Sequence, residues 1–335
     1  MSSNTVCHSA LNAESIHNNW LKGYKINRIF TTYSIELLNT NIFAMKQIIY
    51  FAAFIFIASC TKKEQLSEDY LSKLDQYKYE KMDSRKKGYL RLVALTPLND
   101  SANIFGKYKK NNLLLKIETL PDTIGFLVYK DSILNFQANS DINVKSANDL
   151  LISSVDLTFD QYSSSQKLFH EHINWQIITR AKKHYLRVWD SLNPEIEDFK
   201  GFSYFKPTAD FILDGDFEYY DAKKTEKVKS KLGVRTSTNF IGKVSFNYKN
   251  KRYSLGVGEN GFLMVGDETN DKETYGGGRY VYLDLPEING KTTLDFNKLY
   301  NPPCAYNEFT TCLYPLRQNH LPFAITAGET MERIQ

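Results

Sequence analysis

Residues 173–189 read INWQIITRAKKHYLRVW. Ile173, Trp175 and Ile177 alternate with Asn174 and Gln176, the two-residue period of a strand that buries one face. Ala181-Lys182-Lys183 interrupts the pattern before Tyr185 to Trp189 resumes it, so the stretch predicts a β-hairpin. Short apolar or alternating runs recur on both sides. Upstream they are Tyr89 to Thr96, Leu113 to Glu118, Ile124 to Tyr129 and Ile133 to Gln137. Downstream they are Asp210 to Tyr219, Phe240 to Tyr248, Arg252 to Val257, Gly261 to Val265, Arg279 to Leu283 and Thr292 to Phe296. Turn clusters such as Asn99-Asp100-Ser101 separate them, and the spacing predicts a mainly β chain, an antiparallel β-sandwich or barrel.

A single helix is expected ahead of the strands. Ser67 can cap it, Glu68 and Asp69 complement its dipole, Tyr70, Leu71, Leu74, Tyr77 and Met82 share one face, and Gly88 ends it. The polar stretch from Tyr162 to Gln166 is the best candidate boundary. It divides a helix-plus-β portion, 67–158, from a main β domain, 159–335.

Further upstream, Met45 to Cys60 reads MKQIIYFAAFIFIASC. A lysine, an uncharged apolar run and Ile57-Ala58-Ser59-Cys60 have the form of a bacterial lipoprotein signal. The run is too short to span a hydrocarbon core, which takes about 20 helical residues. On this reading residues 1–44 are a mis-called upstream extension and 45–59 the signal peptide. Cys60 is the lipidated first residue of a tether, 60–66, that fixes the protein to a membrane of the cell envelope. The full sequence carries 42 basic and 38 acidic residues; starting at Cys60 removes Lys22, Lys25, Arg28, Lys46, Glu14 and Glu36 and leaves a charge near +2. So balanced a chain, without a basic stripe, argues against a nucleic-acid partner.

Cys304 and Cys312 then remain as the only thiols besides Cys60. In an oxidising compartment the simplest reading is a disulfide. Free thiols and a metal pair are the alternatives, although zinc thiolate pairs are usually closer in sequence and no histidine pattern completes a set, so no metal or cofactor is expected.

The C-terminal third carries more specific words: Asp267-Glu268-Thr269, Thr274-Tyr275-Gly276-Gly277-Gly278-Arg279-Tyr280, Leu294-Asp295-Phe296-Asn297, Tyr300-Asn301-Pro302-Pro303-Cys304-Ala305-Tyr306, Thr311-Cys312 and Ala327-Gly328-Glu329. In this order they resemble the domain of unknown function 1684 family. Fainter echoes extend the resemblance to about residues 70–330, among them Arg180 and Tyr185-Leu186-Arg187-Val188-Trp189-Asp190. Leu313, Leu316 and His320 depart from the family pattern, and the resemblance implies no particular activity.

Three clusters are candidates for chemistry. In 267–279, DETNDKETYGGGR, the glycines can expose backbone N–H groups to an anion, with Arg279 as a fork; the alternative is a turn in which Arg279 pairs with Asp267 or Asp295 to pin the sheet. The oxygens of Asp267, Thr269, Asp271 and Glu273 invite calcium only weakly, because Lys272 and Gly278 stand where an EF-hand needs glycine and glutamate. Tyr300 to Tyr306 is a proline-fixed turn that can wall a pocket or cover a sheet edge. His170 and His172, two apart on a strand, would point to one side, as a metal pair or a solvated strand entrance. No G-x-S-x-G or H-E-x-x-H motif occurs. Two functions follow: a lipid-anchored envelope module that binds a small molecule, glycan or protein, or an enzyme whose site gathers Asp267, Arg279, Asp295 and Tyr300. The ligand or catalytic candidates are Asp267, Thr269, Tyr275, Gly278, Arg279, Asp295, Asn297, Tyr300, Asn301 and Tyr306.

Overall fold

The computed structural model describes residues 65–335 apart from 131, 132, 162 and 234. The expectations for 1–44, the signal at 45–59 and Cys60 lie outside the described residues. Helix α1 (Glu68–Lys87) starts where the sequence places it: the Ser67 hydroxyl accepts the Tyr70 N–H at 3.2 Å, and basic residues Arg85, Lys86 and Lys87 fill the last turn before Gly88. Its buried stripe differs from the expected one. Leu71 is exposed, and the side facing the protein runs Tyr70, Leu74, Tyr77, Lys81, Arg85, at the three- and four-residue spacing of one helix face.

Ten strands form a first lobe: β1 (Leu92–Pro97), β2 (Asn103–Gly106), β3 (Leu113–Leu114), β4 (Gly125–Lys130), β5 (Ile133–Ala138), β6 (Lys145–Ser146), β7 (Ser154–Asp156), β8 (Leu168–His170), β9 (Ile173–Arg180) and β10 (Lys183–Asp190). They make two five-stranded sheets, β1-β10-β9-β8-β6 and β3-β2-β4-β5-β7, antiparallel throughout except for β2 with β3. Trp175 of one sheet meets Phe105 and Phe136 of the other at 5.1 and 5.6 Å between ring centroids, so the sheets face each other across one core. The hairpin quoted above is β9–β10, closed by Ala181 and Lys182, both at positive φ. This core includes Leu120 and Phe136 along with Ile173, Trp175 and Val188, so the expected boundary at 158 falls inside it and is corrected to the segment after Asp190.

That segment contains the short helix α2 (Glu195–Asp198) and leads into the second lobe: β11 (Phe202–Tyr204), β12 (Ile212–Lys229), β13 (Arg235–Tyr248), β14 (Lys251–Gly258), β15 (Phe262–Val265), β16 (Arg279–Tyr282), β17 (Gly290–Asp295) and β18 (Glu329–Arg333). A four-stranded sheet, β14-β13-β12-β17, packs with the β15–β16 hairpin around Phe217, Val244, Leu263 and Phe296, while β11 pairs with β18. The fold is mainly β with one N-terminal helix. Its sheets stay open, so the barrel alternative gives way to layered sheets. A smaller cluster of Leu90, Phe199, Phe202 and Tyr306 joins the end of α1 to both β11 and the cysteine loop. Among the described residues no helix is long and apolar enough to cross a membrane.

Candidate functional site

The acid and arginine of the glycine cluster meet, as one of the two readings expects, and they do so in complete burial. Arg279 Nη2 donates to Asp267 Oδ2 at 3.0 Å, with both side chains fully enclosed. The rest of the guanidinium is spent on backbone: Nη2 on Ile325 O at 2.8 Å, Nη1 on Ala327 O and on Glu329 O at 3.1 Å. Burial pushes the Arg279 guanidinium down, and Asp267 opposes that shift. The second carboxylate oxygen of Asp267 accepts the N–H and hydroxyl of Thr269 and the N–H of Ile325. Asp267, Thr269 and Arg279 thus fasten the start of β16 to the C-terminal segment, and no free donor fork faces solvent. The glycine turn is closed by its own protein as well. The Asp271 carboxylate fills the space a Gly276 side chain would need, and Gly278, at φ +79°, lies against Pro315 and the Val265 carbonyl. An incoming anion would meet that carboxylate. Tyr275 lies on the outer side of the turn with Tyr314 and His320, beside a cavity of about 660 Å³.

A second buried pair, absent from the expected constellation, lies under α1. Arg85 reaches both oxygens of Glu329 at 2.7 Å, and Glu329 also accepts the Tyr204 hydroxyl at 2.8 Å and the Asn301 N–H at 2.6 Å. Burial works against the charged Arg85, but the hydrogen bonds and the charge of Glu329, helped by Tyr306 and Tyr204, together outweigh it and push the guanidinium up. Asn301 closes the arrangement by donating its amide to Thr330 O at 2.6 Å. Asp295 and Asn297 anchor the first turn of the same helix. Asp295 accepts the Tyr70 hydroxyl at 2.9 and 3.0 Å, and Asn297 bonds that hydroxyl and the backbone of Thr208. Asp295 is therefore apart from Asp267 and Arg279 in its bonding, and the four groups of the enzymatic reading do not converge on one open site.

Tyr300 and Tyr306 do line a cavity. Tyr300 is held by reciprocal backbone hydrogen bonds of 2.9 Å with Tyr280, and Tyr306 stacks on Phe199. Cys304 and Cys312 are joined in a disulfide, which fixes the loop between them and leaves no thiolate pair for a metal. Between this loop and α1 lies a space of about 340 Å³, walled by Tyr89, Tyr280, Tyr282, Tyr300 and Tyr306 with Phe262 and Pro303, and entered by Lys81 and Arg85. The Lys81 ammonium stands 4.0 Å above the Tyr300 ring centroid, 5.3 Å from Tyr77 and 5.6 Å from Tyr282. Burial and the nearby Arg85 push Lys81 down, Glu329 and Glu80 oppose this from a distance, and among the described residues no carboxylate lies within ion-pair distance of it. Burial pushes Tyr280, Tyr300 and Tyr306 well up, so their phenols stay neutral at ordinary pH. Sequence reading found the two tyrosines and missed Lys81 and Arg85, which look like the solvated side of a charged helix. The available signal was their spacing from Tyr70, Leu74 and Tyr77.

The two histidines do not act as a pair. Glu171, at φ 48°, turns the chain between β8 and β9, which corrects the single-strand expectation and sends the rings to different partners. His170 is buried with Nδ1 3.0 Å from Asn143 O, whereas His172 bridges Asp190 at 2.7 Å and the Thr119 hydroxyl at 3.1 Å.

No curated protein matches the chain. Among solved structures it is similar to an NMR structure of an uncharacterized protein of Haloarcula marismortui, 27% identical, which covers 41% of this chain and 79% of that one with a TM-score of 0.35. The family model described as protein of unknown function (DUF1684) matches residues 197–330, from the end of α2 to the start of β18, the segment that holds Asp267, Arg279, Glu329 and the cysteine loop. The likeness to the DUF1684 family is carried by residues 197–330.

Proposed function

We propose that the protein is a lipid-anchored module of the cell envelope that binds a small anion bearing a planar ring in the tyrosine-walled cavity beneath α1. One observation carries the reading: Lys81 is half-buried over three tyrosine rings and, among the described residues, has no carboxylate within ion-pair distance, whereas Arg85 and Arg279 in the same part of the molecule each have one. A cation left unneutralised in a concave, aromatic space favours a ligand that supplies the missing charge and a flat body to stack. The proline-fixed, disulfide-closed loop keeps the far wall in place, which lowers the ordering cost of binding.

The ligand test uses 4-hydroxybenzoate and 4-hydroxybenzamide, matched in shape and different in charge, against the purified protein by calorimetric titration. The acid is expected to bind at least tenfold tighter than the amide, with the difference lost in Lys81→Met; equal binding of the two would overturn the reading. Anchoring is tested separately by fractionation. Cys60→Ala is expected to leave the membrane fraction and accumulate as a heavier precursor, and unchanged processing and partition would contradict the anchor.

A further inference from the structure

A second cavity, of about 550 Å³, lies where the β9–β10 hairpin end of the first lobe meets β13 and β14 of the second. Its chemistry differs from that of the tyrosine cavity. Ser163, Thr179, Thr236, Thr238 and Asn239 contribute hydroxyls and an amide to its lining, and Phe262 provides one aromatic face. Hydroxyl-rich walls with a single ring suit a polyhydroxylated ligand, which offers donors and acceptors all round and one apolar face to stack.

Charge at this cleft is one-sided. Arg180, on its lining, donates to the Thr179 carbonyl at 2.8 Å and has no carboxylate within ion-pair distance among the described residues. Asp160 attracts it from farther away. Arg187, on the same face of the sheet, has a buried Nε with no hydrogen-bond partner and lies 5.8 Å from the Trp189 ring centroid. Burial pushes Arg187 down to about 10; repulsion from Arg180 adds to this, and Tyr89 opposes it. The one acid on the cleft lining, Glu259, is already engaged by Lys223 at 2.7 Å. Two arginines share this field, and among the described residues no carboxylate is within ion-pair distance of either.

We infer that this interlobe cleft binds an acidic saccharide, with the sugar carboxylate held by the Arg180 fork, Arg187 adding positive field behind it, and the sugar ring set against Phe262 and the threonine hydroxyls. The site is distinct in residues from the tyrosine cavity except for Phe262, and it stands whether or not that cavity takes an aromatic acid. An oxyanion suits Arg180 because a guanidinium can present two parallel N–H groups to a carboxylate.

Calorimetric titration with D-glucuronate, D-glucose and inorganic phosphate tests the inference on the purified protein. Glucuronate is expected to bind at least tenfold tighter than either of the others, because glucose lacks the charge and phosphate lacks the ring. Arg180→Gln is expected to lose at least tenfold in glucuronate affinity, Arg180→Lys to fall between, and Lys182→Gln, the same charge change on the exposed hairpin turn, to stay within twofold. Failure to bind glucuronate, equal affinity for glucose, or an unchanged Arg180→Gln would overturn the inference. Phosphate binding as tightly as glucuronate would overturn its saccharide part. Should Arg180→Gln not fold, as judged by circular dichroism, the wild-type contrast between glucuronate and glucose and the loss expected in Thr238→Val decide the matter.

Discussion

The Asp267–Arg279 pair and the Lys81 cavity show opposite uses of charge. At Arg279 four hydrogen bonds, one of them to a fully enclosed carboxylate, account for the guanidinium almost completely, and only its Nε lacks a partner. At Lys81 the ammonium sits among neutral phenols, and among the described residues no carboxylate is in contact with it. A saturated buried charge holds segments together, and losing it leaves its partners stranded; an unsaturated one costs stability and persists where binding uses it. The densest polar words of the sequence are therefore architectural, and the reactive-looking surface is built from residues that look ordinary.

That contrast breaks most readily at Arg279. Arg279→Ala would strand Asp267 and three buried carbonyls, so a loss of about 3 to 5 kcal/mol is expected in urea unfolding. A loss below about 1 kcal/mol would move the pair out of the architectural class. Reduction of the Cys304–Cys312 bond comes next. Opening so short a loop is expected to cost roughly 2 to 3 kcal/mol by the chain-entropy estimate, readable as a lower melting temperature in Cys304→Ser with Cys312→Ser. An unchanged melt would show the loop held by its packing on Phe199 and Phe202 instead.

A smaller effect concerns pH. His184, between Tyr129 and Phe159, is pushed below its ordinary value of 6.5 by burial. Above that value both folded and unfolded chains carry it neutral, so its contribution is complete there. As pH falls below it the unfolded chain takes up a proton that the folded chain resists, and stability declines until the folded value is passed. His184→Gln is expected to flatten the decline in melting temperature below pH 6.5, and an unaltered slope would assign the acid sensitivity to other groups.

Much of the architecture was legible because burial leaves a period. The β9–β10 hairpin, the start of α1 and most strands of the second lobe follow alternation or capping visible in the residues themselves. The outer halves of β12 and β13 were not: Tyr220 to Lys229 is polar and exposed along nearly all of its length, so neither face announces a core. The lobe boundary was misplaced because a polar link, Tyr162 to Gln166, reads as a linker although Ser165 is buried and pairs with Ile177. Asp267 with Arg279 was foreseeable from proximity in sequence. Arg85 with Glu329, 244 residues apart, was not, since neither residue carries a local sign of its partner. Lys81 was hidden for the same reason that makes it informative, namely that its surroundings are tyrosines drawn from distant segments.

The most direct measurement is equilibrium urea unfolding of Lys81→Met. Burial disfavours the charged lysine in the folded chain, and methionine keeps the contact with the rings, so the variant is expected to be as stable as the wild type or up to about 1 kcal/mol more stable. A destabilisation of 3 kcal/mol or more, matching that expected for Arg279→Ala, would show that Lys81 too belongs to the architecture and would contradict the division between the two regions.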